Sequence, residues 1–290
     1  MNVLITGANS YIGTSVEAWL LRTPEVFSVD TVSTLNNDWK KTDFGSYDVV
    51  FHVAGIAHVD AKKSMESLYY SVNRDLTIEV AREAKANGVK QFIFMSSMIV
   101  YHESKSLKAE KITLDTKPNP NGFYGNSKLQ AEEGLHELED ESFKVVILRP
   151  PMIYGPKAKG NFTRLVWLAS KTPIFPEFHN QRSMLYIDNL CEFVKQAIIN
   201  SISGTFFPQN KELADTVEIV KWFANVRQHK IIISKRLNFL VYLGSLFLNS
   251  LNKMFATYYY DPIMSKMDFE YQIVNQETSF SMINARLENG

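Results

Sequence analysis

The sequence has a single cysteine, Cys191, so no disulfide can form within the chain and the disulfide-stapled class of small secreted folds is excluded. It has no excess of charge of either sign: 31 Lys and Arg balance 31 Asp and Glu, leaving no long-range field to gather nucleic acid. Nucleic-acid binding is therefore not expected. With 13 Gly and 10 Pro among 290 residues and no low-complexity tract, collagen-like and linker-like chains are excluded as well. It also lacks an apolar run long enough to span a bilayer. The longest uncharged apolar stretch, 237–252, is interrupted by Asn238, Ser245, Asn249 and Ser250 and falls short of the ~20 residues that a crossing helix needs. The opening MNVLITGANSYIG carries neither a basic leader nor an apolar one, so a cytoplasmic location is expected.

Hydrophobic residues make up 45% of the chain and aromatics 12%, enough to build a substantial core. At ~150 residues per domain, about two units are expected. We place them at 1–150 and at 151–290, the second a smaller lobe that exchanges segments with the first. Over the first half, short runs of consecutive apolar residues at 3–6, 27–32, 49–53, 92–96 and 145–148 alternate with helical patterns. One such pattern follows Gly13, one spans 72–88 and one spans 123–139. Runs that are apolar on successive residues suit strands covered on both faces, so the class is α/β with a doubly wound parallel sheet. After Pro150-Pro151 the rhythm loosens into helical patterns at 162–170, 187–200 and 216–227. Arg227, Lys230, Lys235 and Arg236 precede the apolar 237–252 stretch. A helix packed on the substrate side is the expectation there, and a helix lying on an anionic membrane surface is the alternative.

The strand at 3–6 runs straight into Gly7-Ala8-Asn9-Ser10-Tyr11-Ile12-Gly13 and a helix. Such a turn can cradle a pyrophosphate. Gly7 permits the tight turn, backbone N–H groups and the helix dipole favour anionic oxygens, and Gly13 lets the helix pack close to the strand. Ser10 replaces the usual middle glycine, and an ordinary strand-to-helix turn is the alternative. The second strand should carry an acidic residue for an adenosine ribose. Asp30 is the candidate in register, with a solvent-facing edge as its other reading. No Arg or Lys lies between Pro24 and Trp39, which favours NAD and leaves NADP open.

The strand at 92–96 ends in Ser96-Ser97, and a later helix begins Tyr124-Gly125-Asn126-Ser127-Lys128. Tyr124 and Lys128, at i and i+4, share a helix face. An ammonium near a phenol favours the phenolate and lowers its pKa from ~10, which would let Tyr124 serve as general base and acid. Ser97, at the carboxyl end of a strand, can hydrogen-bond the same substrate oxygen. A surface Tyr-x-x-x-Lys is the alternative; the order of loop, Ser-Ser and Tyr-Lys argues against it.

These residues, together with Asp48 to Gly55, Asn73, Val100-Tyr101, Leu148-Arg149-Pro150, Tyr154-Gly155-Pro156 and Arg182 with Tyr186-Ile187-Asp188, resemble the extended short-chain dehydrogenases/reductases of the NAD-dependent nucleotide-sugar epimerase/dehydratase family. The resemblance implies a Rossmann-type domain with a smaller C-terminal substrate lobe. It implies that Tyr124 is the acid/base, that Lys128 holds the nicotinamide ribose and polarises Tyr124, and that Ser97 orients the sugar hydroxyl. Gly7, Ser10, Tyr11, Ile12 and Gly13 would surround the pyrophosphate, and Asp38-Trp39 would meet the adenine. Val53, Ala54 and Gly55 would line the cofactor, with Asn73 supporting their strand. Asn161 and Arg182 would grip the diphosphate of a UDP-sugar, and a homodimer would form through the Tyr-Lys helix and the helix before it. Ser10, Met152 (where Asn is common) and His102 (where Gly is usual) depart from the family pattern; they bear on sugar specificity and leave Ser97, Tyr124 and Lys128 untouched.

Within that family, 4,6-dehydration uses an Asp-Glu pair after the catalytic Ser or Thr, and 3,5-epimerisation of a GDP-sugar uses a cysteine after the paired serines. Met98-Ile99 follow Ser97 here, which disfavours both. Two reactions remain: 4-epimerisation of a UDP-hexose or UDP-N-acetylhexosamine through a 4-keto intermediate, which is the expectation, and NAD(P)H-dependent reduction of a UDP-4-keto-6-deoxy-N-acetylhexosamine. A non-catalytic dinucleotide sensor or scaffold is the reading from another class, and retention of both Tyr124 and Lys128 argues against it.

Overall fold

A computed structural model describes residues 1–57, 63–102, 104, 106–158 and 160–288. Five expected strands form as β1 (Asn2–Thr6), β2 (Ser28–Val32), β3 (Val49–His52), β4 (Gln91–Met95) and, after a short β5 (Glu110–Ile112), β6 (Lys144–Leu148). Four further short pieces, β7 (Met152–Tyr154), β8 (Ile174–Pro176), β9 (Met184–Tyr186) and β10 (Gly204–Phe206), follow, then β11 (Ile232–Ser234) and β12 (Tyr258–Tyr260). The main sheet has the order β10-β6-β4-β3-β1-β2 with every pair parallel. The chain moves from β1 to β2 on one side, then returns past β1 to β3. A crevice therefore opens at the carboxyl ends of β1 and β3, the switch point at which open α/β sheets bind ligands.

The helices are α1 (Tyr11–Leu20), α2 (Glu66–Tyr70), α3 (Leu76–Ala86), α4 (Phe123–His136), α5 (Asn161–Lys171), α6 (Ile187–Ile199), α7 (Thr216–Val226), α8 (Asn238–Ser245), α9 (Asn249–Phe255) and α10 (Gln276–Glu288). Period-two alternation divides the central strands between two cores. Val3, Ile5, Phe51 and Ile93 face one core with Val16 and Leu20 of α1, and Leu4, Val50, Phe92 and Phe94 face the other with Val80 of α3 and Leu135 of α4. The first core continues past residue 150 into Phe162, Phe193, Phe223 and Phe280, so one apolar interior joins both halves of the chain.

Two elements differ from the sequence expectation. β10 joins the main sheet beside β6 although Gly204-Thr205-Phe206 carries no apolar run. The 237–252 stretch forms two short helices rather than one. Ser250, Lys253 and Met254 of α9 reach a pocket shared with Asn161 and Arg182, but α8 buries only Val241. Among the described residues, no helix is long and apolar enough to cross a membrane.

Candidate active site

The loop after β1 is built so that only glycine fits at its ends. Gly7 has φ +102°, and a Cβ there would lie 2.7 Å from the Ala54 backbone nitrogen. A Cβ on Gly13 would lie 2.6 Å from Ser10 Oγ and 3.3 Å from Val53 Cγ1. The Gly7 and Ala8 N–H groups both donate to the Val32 carbonyl, tying the loop to the end of β2. Ser10 needs no glycine, because its φ is −73° and its hydroxyl caps α1 by accepting from Gly13 N at 3.1 Å. Tyr11 and Ile12 pack half-buried against the core. The Tyr11 hydroxyl is buried beside Gly155 without a hydrogen-bond partner among the described residues, and burial holds its pKa well above the ordinary phenol value. A glycine-lined cradle at the start of a ten-residue helix fits a dinucleotide pyrophosphate.

Val53, Ala54 and Gly55 leave β3 directly beside this cradle, with Val53 N donating to Thr6 O at 3.1 Å. Asn73 holds their continuation. Its Oδ1 accepts from Ile56 N at 2.8 Å, and its Nδ2 donates to Ile56 O and to Ser127 Oγ, each at 3.1 Å. Asn73 is buried in a π-helical turn, Ser71–Asp75, between α2 and α3, and so pins β3 to α4.

Ser97, Tyr124 and Lys128 converge at the carboxyl end of β4. The half-buried Tyr124 phenol lies beside the Ser97 hydroxyl, which favours its ionised form. Lys128 Nζ donates to Met95 O at 2.7 Å, lies 4.6 Å from the centre of the Phe94 ring, and would be 3.2 Å from a Cβ on Gly55. Gly125 permits the approach: a Cβ there would lie 2.7 Å from Ile99 O, inside the turn that follows Ser97.

Burial pushes the Tyr124 phenol up to about 12, with Ser97 pulling it down and Tyr69 pushing it up, and Lys128 is not among the groups that shift it. Burial also pulls Lys128 itself down to about 7, opposed by Glu132. An amine that shares its proton with water near neutrality is a weak source of field, so in the ligand-free protein the phenol is not pre-activated. A buried lysine lowered this far is the kind of perturbation that marks functional sites.

The same shift carries a stability prediction. Below pH 7 both folded and unfolded chains hold the Lys128 proton and the native state bears the full penalty; above that the unfolded chain binds more protons, so stability rises with pH until ~10.4. Lys128→Met is therefore expected to raise the melting temperature of the cofactor-free protein, most at pH 6 and progressively less towards pH 10. Melting curves across that range check it; a destabilised variant at pH 6 would show that the ammonium is better paired than this geometry allows.

Three candidates, Asp30, Asp38 and Trp39, engage other side chains in the ligand-free protein. Asp30 is exposed in mid-strand, paired with Leu4 rather than with the end of β1, and accepts from Tyr47 OH at 3.0 Å. Asp38 pairs with Lys41 at 2.7 Å on the surface, and Trp39 is buried in the core, edge-on to Phe44. Asn161 and Arg182 both line one small pocket, with Met152 and Met184. Arg182 donates to Lys253 O, and burial pulls its guanidinium down to about 10, with no carboxylate among the described residues offsetting the loss of water. His102 binds Glu110 through its side chain and receives Tyr258 OH at its carbonyl.

Two networks escaped the sequence. Glu132, one turn beyond Lys128, is buried and takes Arg149 from the end of β6 as a bidentate partner, together with Ser96 Oγ. Arg149 also donates to Tyr101 OH at 3.0 Å. His52, wholly buried, joins Thr6 at 2.7 Å and Thr77 at 3.0 Å, and burial, then Lys128, pulls it down to about 3. Because Thr77 donates its own proton to Asn73 O, His52 Nε2 is the donor to Thr77 and Nδ1 accepts from Thr6. The i, i+4 spacing of Lys128 and Glu132 was the one visible signal.

The chain that carries this glycine cradle is similar in sequence and in fold to known proteins. Residues 3–205 match the NAD dependent epimerase/dehydratase family, and the chain belongs to it. It is 32% identical over 246 residues to a UDP-glucose 4-epimerase of Vibrio cholerae, covering 77% of this chain and 75% of that one. It is 30% identical over 224 residues to the N-acetyl-alpha-D-glucosaminyl-diphospho-ditrans,octacis-undecaprenol 4-epimerase of Escherichia coli O157:H7, covering 70% and 65%. The crystal structure of a UDP-glucuronic acid 4-epimerase from Bacillus cereus in complex with NAD shares the fold, with a TM-score of 0.72 at 21% identity over 98% of this chain and 99% of that one.

Proposed function

We propose that the protein is a nucleotide-sugar 4-epimerase acting on a UDP-hexose or UDP-N-acetylhexosamine through a transient 4-keto sugar. The observation that carries this reading is the convergence of Ser97, Tyr124 and Lys128, with Met98, buried in an apolar cluster, following Ser97 in place of a further acid or base, and with the nearby carboxylate, Glu132, engaged by Arg149 and Ser96. Such a set can move one proton at one carbinol oxygen and no more, which is what 4-epimerisation asks of the protein. NAD, when bound, supplies the hydride acceptor and donor at C4. Gly7, Ser10, Tyr11, Ile12 and Gly13 would hold its pyrophosphate, and Val53 to Gly55 would flank it. Ser97 orients the sugar hydroxyl, Tyr124 takes the O4 proton and returns it, and Lys128 holds the nicotinamide ribose against Gly55. Arg182, a partly desolvated cation without a carboxylate partner among the described residues, suits a diphosphate, and Asn161 lies in the same pocket. A homodimer accompanies this reading on family resemblance, and a cytoplasmic location on the reading of the opening residues.

Purification without added cofactor tests it. Acid treatment is expected to release about one NAD per chain, and the purified protein is expected to interconvert UDP-sugars at C4. A cofactor-free protein that binds NADPH reversibly and reduces 4-keto sugars would replace the epimerase by the ketoreductase.

One observation favours a second donor in the same pocket. Its α9 wall belongs to a helix pair whose outer surface is apolar, and the Escherichia coli relative is named for an undecaprenol-linked sugar diphosphate. A sugar carried on a polyprenyl diphosphate is that second reading, and C4 conversion of each donor in parallel assays separates the two.

A further inference from the structure

From Lys230 to Tyr260 the chain carries Lys230, Lys235, Arg236 and Lys253 and no Asp or Glu, inside a protein whose charges balance overall. The helices of this stretch are thinly covered. Phe239, Leu240, Tyr242 and Leu243 of α8 are exposed, and the connecting turn stands out further, with Leu246 74% and Phe247 79% exposed and Leu248 beyond them. At about 200 Å² per large side chain, seven that are roughly half-exposed leave an apolar area on the order of 700 Å², above the ~300–600 Å² of the largest patch on a typical monomer.

The hairpin is nonetheless firmly seated. Phe178 packs on Tyr242 and on Phe255 with ring centroids 5.2 and 5.5 Å apart. Asn238 Nδ2 donates to Glu177 O at 2.9 Å, and Asn252 Nδ2 donates to Ser245 O at 3.0 Å, joining the two helices. The apolar surface is thus displayed by ordered structure. Helices of eight and seven residues cannot cross a bilayer, but an apolar face flanked by exposed Lys235 and Arg236 suits its surface.

We propose that the α8–α9 hairpin docks the protein on an anionic bilayer, the 246–248 turn entering the boundary between headgroups and acyl chains and Lys235 and Arg236 meeting lipid phosphates. Charge selects this occupant over a second copy, because pairing two such faces would set two acid-free basic segments against each other. Ser250, Lys253 and Met254 of α9 wall the pocket that holds Asn161 and Arg182, so docking places that pocket at the membrane surface. The proposal needs only the hairpin's surface and stands without the epimerase reading.

Vesicle sedimentation of the full chain tests it. Binding to vesicles of phosphatidylglycerol and phosphatidylcholine in equal parts is expected to exceed binding to phosphatidylcholine alone roughly tenfold and to fall as salt is raised. Leu246→Ser combined with Phe247→Glu is expected to bring anionic-vesicle binding down to the phosphatidylcholine level without moving the melting temperature. Independently, Phe247→Trp is expected to show a blue-shifted emission on adding anionic vesicles. Equal background sedimentation with both vesicle types, or an emission from the Phe247→Trp variant that anionic vesicles leave unshifted, overturns the proposal. So does a wild-type dimer that Phe247→Glu dissociates, since that assigns the face to a second copy.

Discussion

Replacing Tyr124 by Phe is expected to lower kcat by about 10² to 10⁴-fold while the protein keeps its fold and its bound dinucleotide. The substitution removes only the hydroxyl that meets Ser97. The ring, packed edge-on to Tyr69 with centroids 5.8 Å apart, keeps its neighbours, and α4 keeps its approach to the 98–100 turn through Gly125. In the proposed reaction it is the phenol that takes and returns the substrate proton. Ser97 remains in the variant but presents an alcohol too weakly basic for the task, and Lys128 is directed to Met95 O and Gly55. Released NAD measured beside C4 conversion checks both halves of the expectation. Undiminished turnover would remove Tyr124 from the role, and lost NAD would show that its hydroxyl supports the binding site instead.

The parts of this molecule that were legible in the sequence are those encoded locally. The central strands are buried on both faces, so successive apolar residues at 49–52 and 92–95 announce themselves, and the Gly7–Gly13 turn follows directly from the strand before it. Tyr124 and Lys128 are legible for the same reason, being one helical turn apart. What was not legible depends on distance or burial. Asp30 holds a plausible place in sequence, yet the register of β2 against β1 sets it opposite Leu4, short of the strand ends where the loop lies. Trp39 could equally have stacked on a ligand, but it fills the core beneath β1 and β3 beside Phe44. Gly204-Thr205-Phe206 becomes a strand only because β6 offers it an edge. The proton affinities of Tyr124 and Lys128 also follow from how deeply α4 is seated, which no spacing rule contains.

The pair Glu132 and Arg149, 17 residues apart on different elements, lies at the far end of that hidden category and yields the largest expected loss of stability. Their side chains are 2% and 11% exposed, and the carboxylate also accepts from Ser96 at the end of β4. Glu132→Ala leaves a buried guanidinium with Tyr101 OH as its one side-chain hydrogen-bond partner among the described residues, and breaking such a pair costs about 3–5 kcal/mol. At roughly 2–4 °C per kcal/mol, the melting temperature should fall by about 10 °C. Glu132→Met with Arg149→Met should recover much of that loss, because apolar residues of similar volume carry no desolvation penalty. A second effect should survive in the double variant. Glu132 is the group that raises the Lys128 pKa against burial, so without it Lys128 should titrate below about 7. If Lys128 must be charged for activity, the alkaline limb of kcat/KM moves to lower pH in Glu132→Gln and in the double variant alike, while stability is restored only in the latter. A pH profile unchanged in both would confine Glu132 to holding α4 against β4 and β6.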